Sequence, residues 1–593
     1  MESKILKSGE FLVKETNAND VFIPEEFDEE QQMIAQTCQD FLDTEVFSNL
    51  DEIDKAEAGY VDGILKKAGE LGLLGIAIPE EYEGFGQSFV TQMLTSEKVG
   101  ASYSFAVAYS AHCGIGSLPI MYYGNDDQLQ RYIPKLASGE YLGAYCLTEP
   151  GAGSDANSGT SKAVLSEDGK HYILNGQKMW ITNAGFADVQ TVFAKIDNDR
   201  CLSAFIVEKD WEGVVINPPE KKMGIKGSIT CQIFYNDVKV PVENLLGDRG
   251  QGFRIALSIL HMGRIKLGAN VLGAMKKAIN DSVQYSNERK QFNSLISSFG
   301  TIKHKLAEQV IKTFTTESAV YRVSKDIDDA IHANLEKGDK YGTAATEGIA
   351  HYAVEAAILK VVGSEALDFI VDEGVQIHGG MGYSAEMDIE KGYRDSRINR
   401  IFEGTNEINR LLVVDTAMKR AMKGDFDLFG EAKKLAENLN SISDGKSSGE
   451  SYHDAKKRIV NNFKKVALLA INAASEHFGR KLAYEQEILN NIANIIMETY
   501  ITESTALRVE KLEGIKGAEG VALYKDMLDV NVNDAAAIII KNASDAINSF
   551  AEGDDATKLI HAMKTLTNVD GVNVKEARRR IADKLIEDNE YKY

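Results

Sequence analysis

Proline is the sequence feature that most restricts the fold of this 593-residue chain. All eight prolines lie at or before Pro241, so residues 242–593 contain none. Because proline breaks the interior of a helix, a proline-free stretch of this length indicates a mostly helical second half. Within it, one set of apolar residues recurs every four positions and predicts a single helix stripe: Ile302, Leu306, Val310 and Phe314.

A segment of different amino-acid composition precedes these helices. HYILNGQKMWIT, VQTVFAKI and CLSAFIVEK are rich in β-branched and aromatic residues and are separated by turn residues, which is typical of strands. The chain is also too long for one compact core. We therefore predict a mainly α fold with a central β domain, divided into a helical domain (1–140), a barrel-like β domain (141–250), a helical bundle (251–425) and a C-terminal helical extension (426–593).

Charge and cysteine content exclude several classes of protein. The net charge of −23 argues against a nucleic-acid binder or a general membrane-surface binder, because both partners are polyanionic. The five cysteines are odd in number and form no CxxC pair, so neither a disulfide framework nor a metal site is expected. The N-terminal sequence resembles neither a signal peptide nor a transit peptide. These features together predict that the protein is located in the cytoplasm of a bacterium.

The C-terminal extension contains a basic amphipathic pattern in DAKKRIVNNFKKVALLAI. It places Ile459, Phe463, Val466 and Ala470 on one face of a helix and the lysines and arginine elsewhere. Such a helix can lie on a membrane, or it can cover another helix of its own protein. We favour packing within the protein, because apolar stripes on surface helices normally face a core, and membrane association remains the alternative.

Six motifs occur in register over roughly the first 420 residues. They are GLLGIAIPEEYEGFG (72–86), YCLTEPGAGSD (145–155), MWITNAG (179–185), ERKQF (288–292), VQIHGGMGY (375–383) and YRDSRINRIFEGTNEINR (393–410). Together they resemble the acyl-CoA dehydrogenase family, and PPEKKMGIKGS (218–228) with the long extension is most similar to its very-long-chain branch. The resemblance implies the acyl-CoA dehydrogenase fold, FAD as cofactor and an acyl-CoA as substrate.

The reaction of this family needs a base for the proton next to a thioester carbonyl. A carboxylate in an apolar, water-poor site has a raised pKa and is a better base there than in water. The resemblance implies that Glu403 of FEGTN is this base, that Gly404 lets the substrate approach the backbone, and that Arg264 holds the substrate end of the pocket. Some relatives carry the base just before that arginine, but here the residue is Gly263. The alternatives are a capping or ion-pairing role for Glu403 and a simple ion pair for Arg264.

The resemblance also assigns residues to FAD. A first loop and strand provide Tyr145, Cys146, Leu147, Thr148, Ser154, Trp180, Ile181 and Thr182, although Trp180 could instead be a core aromatic. A site shared with a neighbouring subunit would use Arg289, Gln291, Phe292, Gln376, Gly379 and Gly380, and the loop after the base would add Thr405, Asn406 and Glu407. Two departures are notable: Asn293 replaces the usual glycine, and Glu407 replaces a frequent glutamine. Asparagine tolerates left-handed backbone, so we expect the turn to persist.

The acyl pocket is expected along residues 106–117, where Ala111 and its small neighbours leave room for a long tail, and Ser154 is expected to contact the substrate. Close helix packing explains the small residues equally well. His112 and His378 are given no catalytic role.

The resemblance implies an enzyme of fatty acid β-oxidation that converts a long-chain acyl-CoA to trans-2-enoyl-CoA. Electrons would pass to an electron-transfer flavoprotein. A shared cofactor site implies at least a dimer, and the extension, which takes the place of a second dimer, implies a homodimer. The alternatives are an acyl-CoA oxidase that uses oxygen and a non-catalytic assembly or scaffold protein on the same fold.

Overall fold

The computed structural model describes residues 6–593 and begins with a helical region. A π-helical segment, Ala111–Gly116, joins two of its helices, and capping boxes at Asp28 and Asn125 start the first and last. A side-chain oxygen at such a position satisfies an N–H that the first helical turn leaves free. The helices are α1 Glu29–Phe41, α2 Leu50–Asp54, α3 Val61–Glu70, α4 Phe89–Gly100, α5 Ser104–Ser110, α6 Leu118–Tyr123 and α7 Asp126–Ser138.

Eight strands follow and form one sheet in the order β6-β7-β3-β2-β4-β5-β8, with β1 parallel to β4. The register between β3 and β7 shifts between Lys178 and Ile181, so the backbone at Trp180 leaves the regular pairing. The strands are β1 Gly143–Cys146, β2 Lys162–Leu165, β3 His171–Thr182, β4 Val189–Ile196, β5 Ser203–Glu208, β6 Val214–Ile216, β7 Thr230–Pro241 and β8 Leu245–Leu246.

A second helical region starts with a long core helix. This helix is long and apolar enough to cross a membrane by length and composition, but 72% of its apolar window is buried inside the protein. It packs most extensively on α11 and α4, and it therefore acts here as the central core helix. The elements are α8 Gly252–Glu288, β9 Lys290–Gln291, β10 Ser294–Leu295, α9 Gly300–Glu336, α10 Tyr341–His351, α11 Ala353–His378, α12 Gly380–Tyr383, α13 Asp388–Ser396 and α14 Asn406–Met422.

The C-terminal extension is helical and packs on this region, mainly through contacts of its helix α17 (Gln486–Gly520) with α9 and α14 and of its last helix, α20 (Val574–Asp588), with α9. Its elements are α15 Leu428–Glu437, α16 Tyr452–Phe478, α17 Gln486–Gly520, α18 Ala522–Asn548, α19 Gly553–Leu566 and α20 Val574–Asp588. Residues 442–451, within the polar segment noted in the sequence, connect α15 to α16 without a helix. Gly517 has a φ of 73° and kinks α17 near its end.

Both the apolar and the basic face of the amphipathic helix α16 contact other parts of the protein. Its apolar stripe of Ile459, Phe463, Val466 and Ala470 is buried. Four of its five Lys and Arg residues are paired with carboxylates of the same chain: Lys456 with Asp529, Lys457 with Glu510, Arg458 with Glu450 and Lys464 with Glu503. The fifth, Lys465, donates to the Asn462 side chain. This arrangement supports the packing interpretation of the helix, because little free positive charge remains for a membrane surface.

A set of buried ion pairs, here called the charge belt, joins the extension to the core. Glu317 on α9 contacts Arg508 of α17 at 2.7 Å and Lys276 of α8 at 2.5 Å. Arg508 also binds Glu25 at 2.8 Å, and Lys276 also binds Glu97. Burying charges is unfavourable unless they are paired and hydrogen-bonded, so each member depends on the others.

Candidate active site

The loop between α13 and α14 holds Glu403 in an unusual backbone conformation. Glu403 has a φ of 58° and Gly404 a φ of 81°, both in the left-handed region. Glycine adopts this region freely, whereas for glutamate it costs roughly 1–2 kcal/mol. The loop is held from behind by Asn409, whose side-chain amide donates to the carbonyls of Gly404 at 2.8 Å and Thr405 at 3.0 Å. Thr405 in turn caps the first turn of α14.

The Glu403 carboxylate lies against helix α8 at Gly263. A Cβ atom added to Gly263 would lie 2.5 Å from Oε2 and 2.9 Å from Oε1 of Glu403. The Oε2 atom is buried and has no hydrogen-bond partner. Burial raises the pKa of Glu403 to about 7, and the positive charges of Arg264 and Lys360 limit this increase. The absence of a base at position 263 is therefore also what makes room for the carboxylate of Glu403.

Arg264 is buried beside this carboxylate, and its Nε donates to the Glu403 carbonyl oxygen at 3.1 Å. Its Nη1 lies 3.3 Å from Nδ1 of His261. Within residues 6–593 it forms no direct ion pair with a carboxylate, which excludes the simple ion-pair interpretation. Burial lowers the pKa of Arg264, and Glu403 opposes this change. Part of its guanidinium is therefore available for another hydrogen-bond acceptor.

Lys360 on α11 belongs to the same site, although the sequence analysis did not identify it. Its Nζ donates to Oδ1 of Asn406 at 2.7 Å, and burial lowers its pKa to about 7. Asn406 also donates to Ser364 and Glu365 at 3.0 Å each. The available signal was a lone lysine inside the apolar run AAILKVVG, a place where a charged residue needs a partner.

The β domain brings two of the expected cofactor segments together. The Met179 N–H donates to the Thr148 carbonyl at 2.9 Å, which joins the loop after β1 to the end of β3. Trp180 has a φ of 60° and is 53% exposed, so it is not a core aromatic. A large aromatic face held open on a strained backbone fits a flat ring system such as a flavin. Ser154 is also exposed.

Four other residues in this part of the sequence are directed inwards, and Leu147, with 7% exposure, is one of them. Cys146 and Ile181 are buried, with 0% and 2% exposure, so their side chains belong to the domain core. Contacts from these two residues to a cofactor are therefore limited to backbone groups. Tyr145 is buried between the β domain and the helical bundle, and its hydroxyl donates weakly to the Ala256 carbonyl of α8 at 3.4 Å.

The segments predicted for a shared cofactor site lie elsewhere. Tyr285 and His378 stack with ring centroids 4.2 Å apart, so the ends of α8 and α11 meet at one corner. Arg289, Gln291 and Phe292 follow α8 there, and Gln376, Gly379 and Gly380 lie around the end of α11. All six residues are exposed, with Phe292 at 90%. At 1.5 Å per residue, this corner is about 39 Å along α8 from Gly263. One chain therefore does not bring the two groups together.

The turn at this corner has the expected geometry. Phe292 and Asn293 have φ values of 53° and 62° and connect β9 to β10. Two residues at positive φ are characteristic of a tight hairpin turn, in which asparagine is well tolerated. Glu407 is exposed in the first turn of α14, where an acidic residue suits the helix dipole.

The two histidines noted in the sequence are satisfied core residues. His112 accepts from the Gly143 N–H at 3.0 Å through Nδ1 and bonds the Leu136 carbonyl at 2.9 Å through Nε2, and burial lowers its pKa to about 4. His378 bonds the Gly374 carbonyl at 2.7 Å. Neither ring forms a hydrogen bond with a residue of the Glu403 site.

The expected acyl side of the site lies where the 111–116 segment meets α8. Ala111 is buried there, and the Lys266 ammonium donates to the Cys113 carbonyl at 3.1 Å. Further along α8 is a cavity of about 50 Å³, whose walls include Ala106, Asn270 and Ala274. At 100° per residue, Asn270 and Ala274 lie on nearly the same face of α8 as Gly263. The cavity therefore lies on the side of α8 that carries the carboxylate.

Family models match most of the chain. Residues 28–140 match the acyl-CoA dehydrogenase N-terminal domain, residues 144–238 the middle domain and residues 250–418 the C-terminal domain, while residues 462–565 match a second model described as an acyl-CoA dehydrogenase C-terminal domain. Among known structures, an acyl-CoA dehydrogenase from Bacillus anthracis complexed with FAD is 45% identical, with a TM-score of 0.96, over 99% of this chain and 100% of that one.

Individual relatives agree with these models. A probable acyl-CoA dehydrogenase of Bacillus subtilis is 43% identical over 99% of this chain and 98% of its own length. The mitochondrial very long-chain specific acyl-CoA dehydrogenase of Rattus norvegicus is 40% identical over 69% of this chain and 60% of its own length. The chain belongs to the acyl-CoA dehydrogenase family and is a flavin-dependent oxidoreductase whose cofactor is FAD.

Proposed function

We propose that this enzyme removes two hydrogens from a long-chain acyl-CoA in fatty acid β-oxidation, with Glu403 as the catalytic base. One observation carries the proposal: the Oε2 atom of Glu403 is buried without a hydrogen-bond partner, and burial raises the pKa of this carboxyl to about 7. A carboxylate in this state is matched to proton abstraction near neutral pH.

The reaction separates the two hydrogens. The Glu403 carboxylate takes the proton from the carbon next to the thioester carbonyl, and the C–H electron pair forms the new double bond as hydride leaves the adjacent carbon. When bound, FAD supplies the hydride acceptor. Arg264 is positively charged and buried next to Glu403, so it can stabilise the negative charge that develops on the thioester carbonyl oxygen. The product is a trans-2-enoyl-CoA.

The preference for a long acyl chain rests on the space along α8. The cavity wall at Asn270 begins about 10 Å along the helix from Gly263, and Ala274 lies about 16 Å along it. The position of this cavity, on the same side of α8 as the carboxylate, supports an apolar tail that runs along this face. Lys277 and Asp281 line the cavity further on and give it a polar end.

The remaining parts of the proposal concern partners and location. Arg289 and Gln376 lie far from Glu403 within one chain, so we assign them to the FAD of a second subunit in a homodimer, to be tested by light scattering. Electrons would pass to an electron-transfer flavoprotein. All five cysteines are free thiols, which fits a reducing bacterial cytoplasm.

An anaerobic titration with acyl-CoAs of graded length tests the function through flavin absorbance. Long-chain substrates should bleach the flavin of the wild-type protein, and Glu403→Gln should bind FAD but lose the bleaching. Glu498→Gln is a matched control, because burial also raises the pKa of this carboxyl to about 7 and it lies on α17 of the extension. This control should react like the wild-type protein.

The other outcomes separate the alternatives. Bleaching by short chains alone would reject the chain-length proposal and keep the dehydrogenase. Full bleaching in Glu403→Gln would reject Glu403 as the base. Rapid oxygen consumption without an added acceptor would favour an oxidase. A protein that holds FAD but is reduced by no straight-chain acyl-CoA would reject the substrate class, and full biological function in Glu403→Gln would favour an assembly role.

A further inference from the structure

A continuous set of polar contacts leads from the catalytic loop into the C-terminal extension. It starts at Asn406, two residues after Gly404, whose side-chain amide donates to Oε1 of Glu365 at 3.0 Å. Glu365 lies on α11 and receives two parallel hydrogen bonds from Arg410 on α14, each 2.8 Å long. The third contact of Arg410 leaves the core, because its Nε donates to Oδ1 of Asn494 at 2.8 Å.

Asn494 lies on α17 and is itself held within the extension. Its Nδ2 donates to Oδ1 of Asn542 on α18 at 2.9 Å. Its acceptor oxygen is therefore oriented towards Arg410. A paired fork of N–H groups fixes both the position and the plane of a guanidinium, so Arg410 couples Asn494 to Glu365 with little freedom.

The catalytic loop needs support from outside itself. Glu403 is held at a φ of 58°, a conformation that persists only when its surroundings enforce it. Asn409, the neighbour of Arg410, donates to the Gly404 and Thr405 carbonyls, and Asn406 is anchored on Lys360 and Glu365. The orientation of this first turn of α14 thus fixes the backbone that presents Glu403.

We propose that Asn494 is a positioning residue for the catalytic base, through which the C-terminal extension fixes the loop that carries Glu403. Asn494 holds Arg410, Arg410 holds Glu365, and Glu365 holds Asn406 at the start of α14. The proposal rests on the proposed role of Glu403. It gives the extension a part in the chemistry that is separate from its packing.

Single-turnover flavin reduction in the FAD-loaded protein tests this inference. Asn494→Ala leaves the Arg410 Nε without its acceptor, and we expect about a tenfold slower flavin reduction because a small misplacement of a reacting group is costly. The KM should change little. The isotope effect with α-deuterated acyl-CoA should increase, because proton abstraction becomes more rate-limiting. Asn494→Asp keeps an acceptor oxygen for Arg410 and should restore most of the rate.

Arg578→Gln is the matched control. Arg578 on α20 binds Glu308 of α9, so its loss also breaks a polar contact between extension and core, but one that does not lead to Glu403. It should lower thermal stability and leave the rate and isotope effect unchanged. If Asn494→Ala folds poorly, Arg410→Lys removes the Nε contact together with the paired bonds to Glu365 and should slow flavin reduction at least as much.

Two results would overturn the inference. One is a wild-type rate and isotope effect in Asn494→Ala or Arg410→Lys. The other is an equal slowing in Arg578→Gln, which would show a general loosening of the extension. The proposed function fails separately, if Glu403→Gln still reduces its flavin.

Discussion

Replacing Gly263 by alanine should separate the activity of this enzyme from its stability. The added Cβ would lie 2.5 Å from Oε2 of Glu403, whereas ordinary van der Waals contact begins at 3.4 Å. The carboxylate must therefore move by about 1 Å, and a displacement of that size can reduce the rate about 100-fold. Because the displaced atoms are the end of a side chain, the backbone does not have to shift.

The same substitution should not destabilise the fold. Alanine is favoured over glycine inside a helix by about 1 kcal/mol, so the free energy of unfolding should stay the same or increase. We would measure single-turnover flavin reduction with a long-chain acyl-CoA and thermal unfolding on the same sample. Gly514→Ala is the control, because it lies in α17 with no atom within 4 Å of its added Cβ and should keep full activity.

Activity within threefold of wild type in Gly263→Ala would refute the placement of the carboxylate. A large loss of stability together with activity would refute the argument in another way, since it would mean that the helix and not the side chain had moved.

Three further predictions follow from the charges of the site and the core. The rate of flavin reduction should rise with pH through a midpoint near 7, because Glu403 must be deprotonated and burial raises its pKa to about 7; a midpoint near the ordinary value of 4.5 would contradict this. Lys360→Met should move that midpoint upwards in the same pH–rate profile, because Lys360 lowers the pKa of Glu403. Arg508→Met should lower the free energy of unfolding, measured in urea, by about 3–5 kcal/mol, because Glu317 and Glu25 lose their buried partner; a loss below 1 kcal/mol would show that water reaches them.

The sequence predicted the elements of this fold well because their signals are local. The proline-free half is helical, the β-branched segments are strands, and Asn293 adopts the left-handed turn expected of it. The predicted apolar stripe of α16 is buried in the structure, because the spacing of residues along a helix determines which face they share. Resemblance to a family supplied the identity of the flavin enzyme, which no local pattern carries.

Contacts between distant residues could not be read from a single sequence. Gly263 was interpreted only as a missing base, whereas the structure shows that it makes room for a carboxylate 140 positions away. The sequence left membrane association of the α16 lysines open as the alternative to packing, because it could not show that Lys464 is buried with Glu503. Lys360 gave a faint signal, because a lysine in an apolar run shows that a partner is needed without showing which one.

The charge belt has a consequence for the order in which the protein can be made. Glu317 and Lys276 are synthesised long before Arg508, and until then Glu317 lacks one of its two cationic partners. Because an unbalanced buried carboxylate is unfavourable, burying Glu317 costs more free energy before Arg508 is available than after it. The packing around Glu317 is therefore completed only after α17 has been synthesised.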